Sequence, residues 1–340
     1  MNIKMVDALD APGLTKDLGY TGLDSWCEFI RAAYGYNAYR LVAYENALPV
    51  GALVMVEIKH PLFGHYLTTA PYGSYGGFAF NNTAIRDALL KEAELLAVRL
   101  GINYVVVRTL DDSSSPTGPW ISHSIYCTYQ VVLASTTEEM LETFSVNHRN
   151  HIRKSQKKGM TVRFGNLELL DDAYKGLSLS MHELGSPYHS KTYLRKMAEN
   201  LGETLEFAVL YDAGEKVAGS GVFITQGDTI SNLHANVLKE KRSSYAGELL
   251  YWSVIERSIS RKDSIFDLGR SLIGSGNEAF KLKWIERKLP LAYWYWLSPN
   301  QNLPSINQRN PKFQVAIAIW KRLPAFIVNN IGTYIIRGLA

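Results

Sequence analysis

Apolar and polar positions alternate in the same order in two stretches of this chain. Residues 39–57 read as strand, tight turn and strand, and residues 205–225 read the same way. Each has a turn rich in Asn, Asp, Gly or Pro and a glycine in the returning strand, Gly51 and Gly219. Downstream of the first, Ile85, Leu89, Leu90, Ala93, Leu96, Ala97 and Leu100 recur with a helical period that Gly101 closes. A β-branched run over residues 104–107 follows. Downstream of the second, residues 246–259 repeat the helix and residues 264–268 the strand. A further strand is predicted to end each half, over residues 125–133 and 291–297. Hairpin, helix and strand used twice predict an α/β (α+β) protein: two tandem lobes built on mixed sheets and related by duplication.

A helical insert separates the lobes. Thr137 reads as its N-cap, with Glu138 and Glu139 at the positive helix end. Gly159 stops the run containing His148 to Lys158, and further helices are predicted near residues 170–184 and 191–201. The expected division is a first lobe over residues 1–135 and a second over 136–298 that includes the basic insert. A Pro- and Asn-rich, then amphipathic, tail over 299–340 is expected to pack on them.

Charge adds one feature to this outline. The net charge of +4 is too small to imply nucleic-acid binding by itself. After Glu286, however, no acidic residue occurs, while Arg287, Lys288, Arg309, Lys312, Lys321, Arg322 and Arg337 follow. Such a tail suits an anionic surface or a phosphate-bearing ligand. Cys27 and Cys127 have neither metal nor redox spacing, so no metal is expected. The first residues lack a signal-peptide core, and the longest apolar stretch, 313–339, is broken by Lys321, Arg322 and Pro324. A cytoplasmic protein without a membrane span is expected, in peripheral contact with the inner, anionic membrane face.

Three clusters carry candidate chemistry. The first is the basic run, where Arg149 and Arg153 stand one helical turn apart with Lys154 beside them, placed to fork around a phosphate. A solvated basic face accounts for the same pattern. The second is the turn Arg242-Ser-Ser-Tyr245-Ala-Gly247 between a strand and a helix, where free backbone N–H groups favour anions. The third is the densest. A strand ends at Asp267, Gly269 allows a sharp turn, and Arg270 and Ser271 sit at the strand's exit, where open α/β sheets bind ligands. Gly274 and Gly276 lead to a short helix bearing Lys281. A buried ion-pair cluster fixing the loop is the plain alternative.

The turn at Arg242 is similar to the Arg/Gln-x-x-Gly-x-Gly/Ala loop with which GNAT acetyltransferases hold a coenzyme A pyrophosphate. Tyr245 stands where the middle glycine belongs. The order Phe266-Asp-Leu-Gly-Arg-Ser271, a glycine-bearing loop, then Phe280-Lys-x-x-Trp284 resembles the C-terminal signature of FemAB-related proteins. More narrowly it resembles their branch associated with PEP-CTERM/exosortase and exopolysaccharide systems. Residues 60–66, 75–77, 149–154, 184–187, 310–313 and 316–324 agree, so the likeness runs from about residue 35 onward.

The resemblance implies two GNAT-like lobes that join an acyl or aminoacyl group to the amine of a cell-wall or polysaccharide precursor. The donor it implies is aminoacyl-tRNA, and the acceptor a nucleotide- or lipid-linked amine. No cofactor is firmly implied. Lys281 would stabilise the developing oxyanion, Asp267 would orient Arg270, and His234 would be the base. Arg149, Arg153, Lys154, Arg242, Tyr245, Gly247, Arg270 and Ser271 would contact substrate. Two other readings stay open: an acyl-CoA-dependent N-acyltransferase, and a non-catalytic accessory factor of exopolysaccharide export that binds an anionic or lipid-linked ligand.

Overall fold

The computed structural model describes residues 1–110, 114–285, 287–304 and 317–340. Arg309, Lys312 and the stretch 310–313 noted above lie outside the described residues. The chain divides into two compact units: Met1–Thr128 with Leu289–Ser305 and Arg337–Ala340, and Tyr129–Lys288 with Ile306–Ile336.

In the first unit, β1 (Asn2–Val6), β2 (Ala38–Glu45) and β3 (Leu48–His60) run antiparallel. β3 also pairs with β4 (Gly64–Thr68) and β5 (Phe78–Phe80). β4 lies parallel to β6 (Tyr104–Leu110), with Tyr66 opposite Tyr104 and Thr68 opposite Val106. The helix Thr83–Leu100, capped by Asn82 and ended by Gly101, buries Leu89, Leu90, Ala93 and Leu96 against Leu53, Val105 and Val107. Burying one such side chain stabilises by about 1.5–3 kcal/mol. This apolar stripe, more than propensity, keeps the helix on the sheet.

The closing strands are distributed differently from the sequence expectation. β14 (Arg287–Leu297), expected to finish the second lobe, pairs antiparallel with β6 of the first unit. Burial decides this. Ala292, Trp294 and Trp296 alternate onto the core that holds Val105 and Val107, and Trp294 meets Phe78 edge-on at 6.2 Å. The aromatic run is therefore a packed strand. Conversely, β7 (Ile121–Val132) ends in the second unit, where residues 130–132 pair with β12 (Ile265–Asp267).

The second unit's sheet continues from β12 through β11 (Thr229–Val237), β10 (Val217–Gln226) and β9 (Leu205–Tyr211) to β8 (Thr161–Gly165). β12 and β11 are parallel and the others antiparallel. Helices Leu170–Leu184, Lys191–Leu201 and Ala246–Arg261 pack on it. The insert forms two helices, Thr137–Thr143 and Val146–Gln156. Their caps are Thr136 and Ser145, which accept from Glu139 N and His148 N, so Thr136 takes the place expected of Thr137. A hydroxyl just outside the first turn can fold back onto that turn's N–H groups, which one already inside it cannot do.

Candidate active site

Two strands that begin parallel part in the second unit. β11 and β12 pair only at Thr229–Ile265, Ile230–Phe266 and Ser231–Asp267. β12 then turns at Gly269, whose φ of +73° favours glycine. The buried Asp267 holds this turn, its Oδ1 accepting from Gly269 N at 2.7 Å. β11 runs on to Val237, paired with β10. Its residues Leu233 to Asn236, central in a sheet, are half-buried instead of covered. Asn232 spans the parting: its Nδ2 donates to Leu268 O at 3.3 Å and to Tyr251 Oη at 2.9 Å.

A bulge sits at the same point. His234 pairs with Val222 and Asn232 with Phe223, so Leu233 is unmatched. Val222 and Phe223 are consecutive and point to opposite faces, and their partners do likewise. Asn232 therefore meets Tyr251 of the helix Ala246–Arg261. His234 meets Tyr188 and His189, with ring centroids 5.6 and 5.7 Å away. In an unbulged strand the two would share a face.

Lys281 closes the other side. It ends the helix Gly276–Lys281, which Ser275 caps by accepting from Glu278 N. Only 3 % of Lys281 is exposed. Its Nζ donates to Gly269 O at 2.7 Å and Arg270 O at 3.0 Å, and lies 5.7 Å from the Tyr129 ring. Burial pulls its pKa down to about 7, against the attraction of Asp267 and with the help of Arg270. An ammonium in this position keeps one N–H beyond the two on the carbonyls, whereas a neutral amine keeps a lone pair.

Arg270 links Lys281 to His234. Burial first, then the Arg270 charge, lowers the His234 pKa to about 4. The expected base is thus a neutral imidazole too weakly basic to take a proton from an ammonium near neutrality. Burial and His234 hold His189 well below the usual imidazole range. His234 Nε2, Tyr188 Oη and Asn232 Oδ1 are buried without a hydrogen-bond partner. Unsatisfied groups of this kind cost about 1–3 kcal/mol each and concentrate where function requires them.

Ser271 is buried and accepts from Asn277 Nδ2 at 2.9 Å, a tie across the loop. Glu278 anchors that loop, accepting from Tyr129 Oη and Lys288 Nζ at 2.7 Å each and from Gly274 N at 2.5 Å. These bonds, led by that from Lys288, draw its pKa down to about 2.

The three clusters read from the sequence meet through side chains. The basic helix buries His148, Ile152 and Ser155 and leaves Arg153 and Lys154 exposed and Arg149 half-buried. His148 lies edge-on to Trp284 at 4.2 Å, and His151 stacks on Tyr245 at 4.3 Å. Tyr245 is the N-cap of the helix Ala246–Arg261, left-handed at φ 58°, while Arg242 is exposed. Gly247 lies under Phe280, the residue before Lys281, where a built Cβ would sit 3.4 Å from the ring. Asp267, Arg270 and Ser271 flank the turn at Gly269, and Lys281 bonds to its Gly269 and Arg270 carbonyls. Sequence reasoning left out Tyr188, His189 and Asn232. The first two directly follow the stretch 184–187, and Asn232 stands two before His234, so proximity in sequence was their signal.

Among the described residues, no group of three or more His, Cys, Asp or Glu side chains could hold a metal ion. Residues 145–282 match the family model described as acetyltransferase (GNAT) domain. No curated protein matches the chain. Among solved structures, FemX shares the fold with a TM-score of 0.66 at 12% identity, over 93% of this chain and 100% of that one. The L-PGS of Bacillus licheniformis gives 0.53 at 13%, over 87% and 91%. A tandem GNAT protein from the clavulanic acid biosynthesis pathway gives 0.55 at 12%, over 88% and 100%. The chain is thus a mixed α/β protein of the tandem GNAT fold, of the kind built by acyltransferases.

Proposed function

We propose that the second unit forms an amide by transferring an acyl group, in aminoacyl form, to an amine on a cell-wall or polysaccharide precursor. The observation that carries this reading is Lys281: a buried amine held on the Gly269 and Arg270 carbonyls where β11 and β12 part. The acetyltransferase (GNAT) match supports it, because residues 145–282 contain every residue assigned a role here.

The amine nitrogen attacks the activated carbonyl carbon, and a C–N bond forms. The C–O bond to a tRNA ribose, or the C–S bond of a thioester, breaks, and the leaving atom takes up the proton that the amine releases. Direct attack requires no covalent intermediate on the protein. The remaining Lys281 N–H faces the oxyanion, and a donor so placed lowers the barrier by about 3–4 kcal/mol. Asp267 shapes the turn that presents Arg270, which holds a phosphate or carboxylate. Arg149, Arg153 and Lys154 take the phosphate of a nucleotide- or lipid-linked acceptor. His234 orients by hydrogen bonding. Tyr245 occupies the place of the phosphate-loop glycine and favours aminoacyl-tRNA over acyl-CoA.

The PEP-CTERM/exosortase and exopolysaccharide setting is part of this proposal, supported by the motif order from Phe266 to Trp284, as is a cytoplasmic location. The test supplies aminoacyl-tRNA or acyl-CoA with an amine-bearing muropeptide nucleotide and follows the amide by mass spectrometry. Product with the wild type and about 10²- to 10³-fold less with Lys281→Ala is expected. Equal product from both would remove Lys281, and none from either donor would remove the reading. A calorimetric titration with acyl-CoA decides between the two donors.

A further inference from the structure

Three segments of the second unit meet at the turn after the helix Leu170–Leu184. A Cβ on Gly185 would fall 2.6 Å from Ile317 Cγ2 and 2.9 Å from Lys321 Cε, so residues 317–321 lie directly on that turn. A Cβ on Gly332, within the helix Ala325–Ile336, would lie 3.1 Å from the Trp320 ring and 3.5 Å from Pro187 Cβ. The residues next to these contacts turn outward although apolar. Leu184 is 42 %, Ile319 56 % and Ile331 48 % exposed, and Tyr334, one helical turn beyond Ile331, is 42 % exposed. Water disfavours exposure of such large apolar side chains.

The charge beside it identifies the partner. Lys321 and Arg322 are exposed in the connection between the two helical segments. No acidic residue occurs anywhere from residue 287 to residue 340. Glu183, the residue before Leu184, already accepts from Lys239 N at 2.8 Å. Apolar side chains flanked by cations without matching anions fit the boundary of an anionic bilayer, where aliphatic groups enter the acyl region and Lys and Arg meet lipid phosphates. A tyrosine with one apolar and one polar end suits the same depth.

We infer that Leu184, Ile319, Ile331 and Tyr334, with Lys321 and Arg322, form an interfacial face that seats the second unit on an anionic phospholipid membrane. Among the described residues no helix is long and apolar enough to cross a membrane, so the contact is peripheral. The turn that carries Leu184 leads within five residues to Tyr188 and His189, the neighbours of His234. A membrane-seated face there brings a lipid-linked acceptor to the candidate site.

The test is co-sedimentation of the full chain with vesicles of phosphatidylcholine alone and of phosphatidylcholine with phosphatidylglycerol in equal parts. Binding to the anionic vesicles only, weakened by salt, is expected. Ile319→Asp and Ile331→Asp should each weaken it on the order of tenfold, from the apolar burial they remove. The double change Lys321→Glu with Arg322→Glu, at exposed side chains, should abolish it. Circular dichroism checks that each variant folds. Sedimentation with neither vesicle, equal binding to both, or variants that bind like the wild type would overturn the inference. So would a dimer in analytical ultracentrifugation that Ile331→Asp dissociates, since a second copy would then cover the face. The readout is lipid affinity alone, separate from the acyl-transfer assay.

Discussion

The ring of Tyr245 lies on that of His151, centroids 4.3 Å apart and 18° from parallel. Tyr245 belongs to the turn that resembles the GNAT phosphate loop, and His151 to the basic helix. Two residues 94 positions apart in the chain thus form one surface. The left-handed backbone of Tyr245 costs about 1–2 kcal/mol, and a stacked pair returns about 0.5–1.5 kcal/mol. The stack holds the side chain against the basic helix.

Tyr245→Gly should therefore change stability little, since it removes both the strained side chain and the stack. It should open the first-turn N–H groups to a pyrophosphate. Calorimetry is expected to show no acyl-CoA binding by the wild type and measurable binding by the variant. Tight binding by the wild type would transfer the donor assignment to acyl-CoA.

Lys281→Met keeps the volume of the buried side chain and removes its charge. Turnover should fall about 10²- to 10³-fold, the loss typical of one oxyanion donor, with cooperative unfolding retained. A fall in turnover with loss of the folded state would mark Lys281 as a loop brace instead.

The same variant tests the environment of the amine. Unfolded, Lys281 titrates near 10.5; folded, burial brings it down to about 7. Between these values the unfolded chain binds the extra proton, so stability rises with pH across that window. Below it, both states are protonated and the burial penalty is fully present. The difference between the urea midpoints of wild type and Lys281→Met should change between pH 7 and 10.5, with the wild type gaining. Parallel curves would show that the Nζ is solvated.

Glu278 has the opposite sign. Its pKa is drawn from 4.5 to about 2, so its contribution is present above 4.5 and lost as pH falls toward 2. Glu278→Gln should be less stable than the wild type at neutral pH and converge with it in acid. The measurement is thermal unfolding across that range. A constant gap would mean that the hydrogen bonds to Tyr129 and Gly274, not the charge, are what Glu278 supplies.

Local pattern determined much of this molecule. Strand alternation fixed the hairpins β2–β3 and β9–β10, and helical period fixed Thr83–Leu100 and Ala246–Arg261, because side-chain direction follows from backbone repeat alone. The run from Asp267 to Trp284 was legible as a candidate site because its glycines, charges and strand end are neighbours in sequence. Tertiary structure decided the rest. β14 looked like the end of the second half, but only packing could show that Trp294 and Trp296 complete the first unit's core. The bulge at Leu233, which sends Asn232 and His234 to opposite faces, leaves no mark on composition. The burial that lowers the pKa of His234 to about 4 and that of Lys281 to about 7 depends on what surrounds each ring or amine. Those surroundings come from residues far away in the chain, and desolvation follows from them and not from residue type.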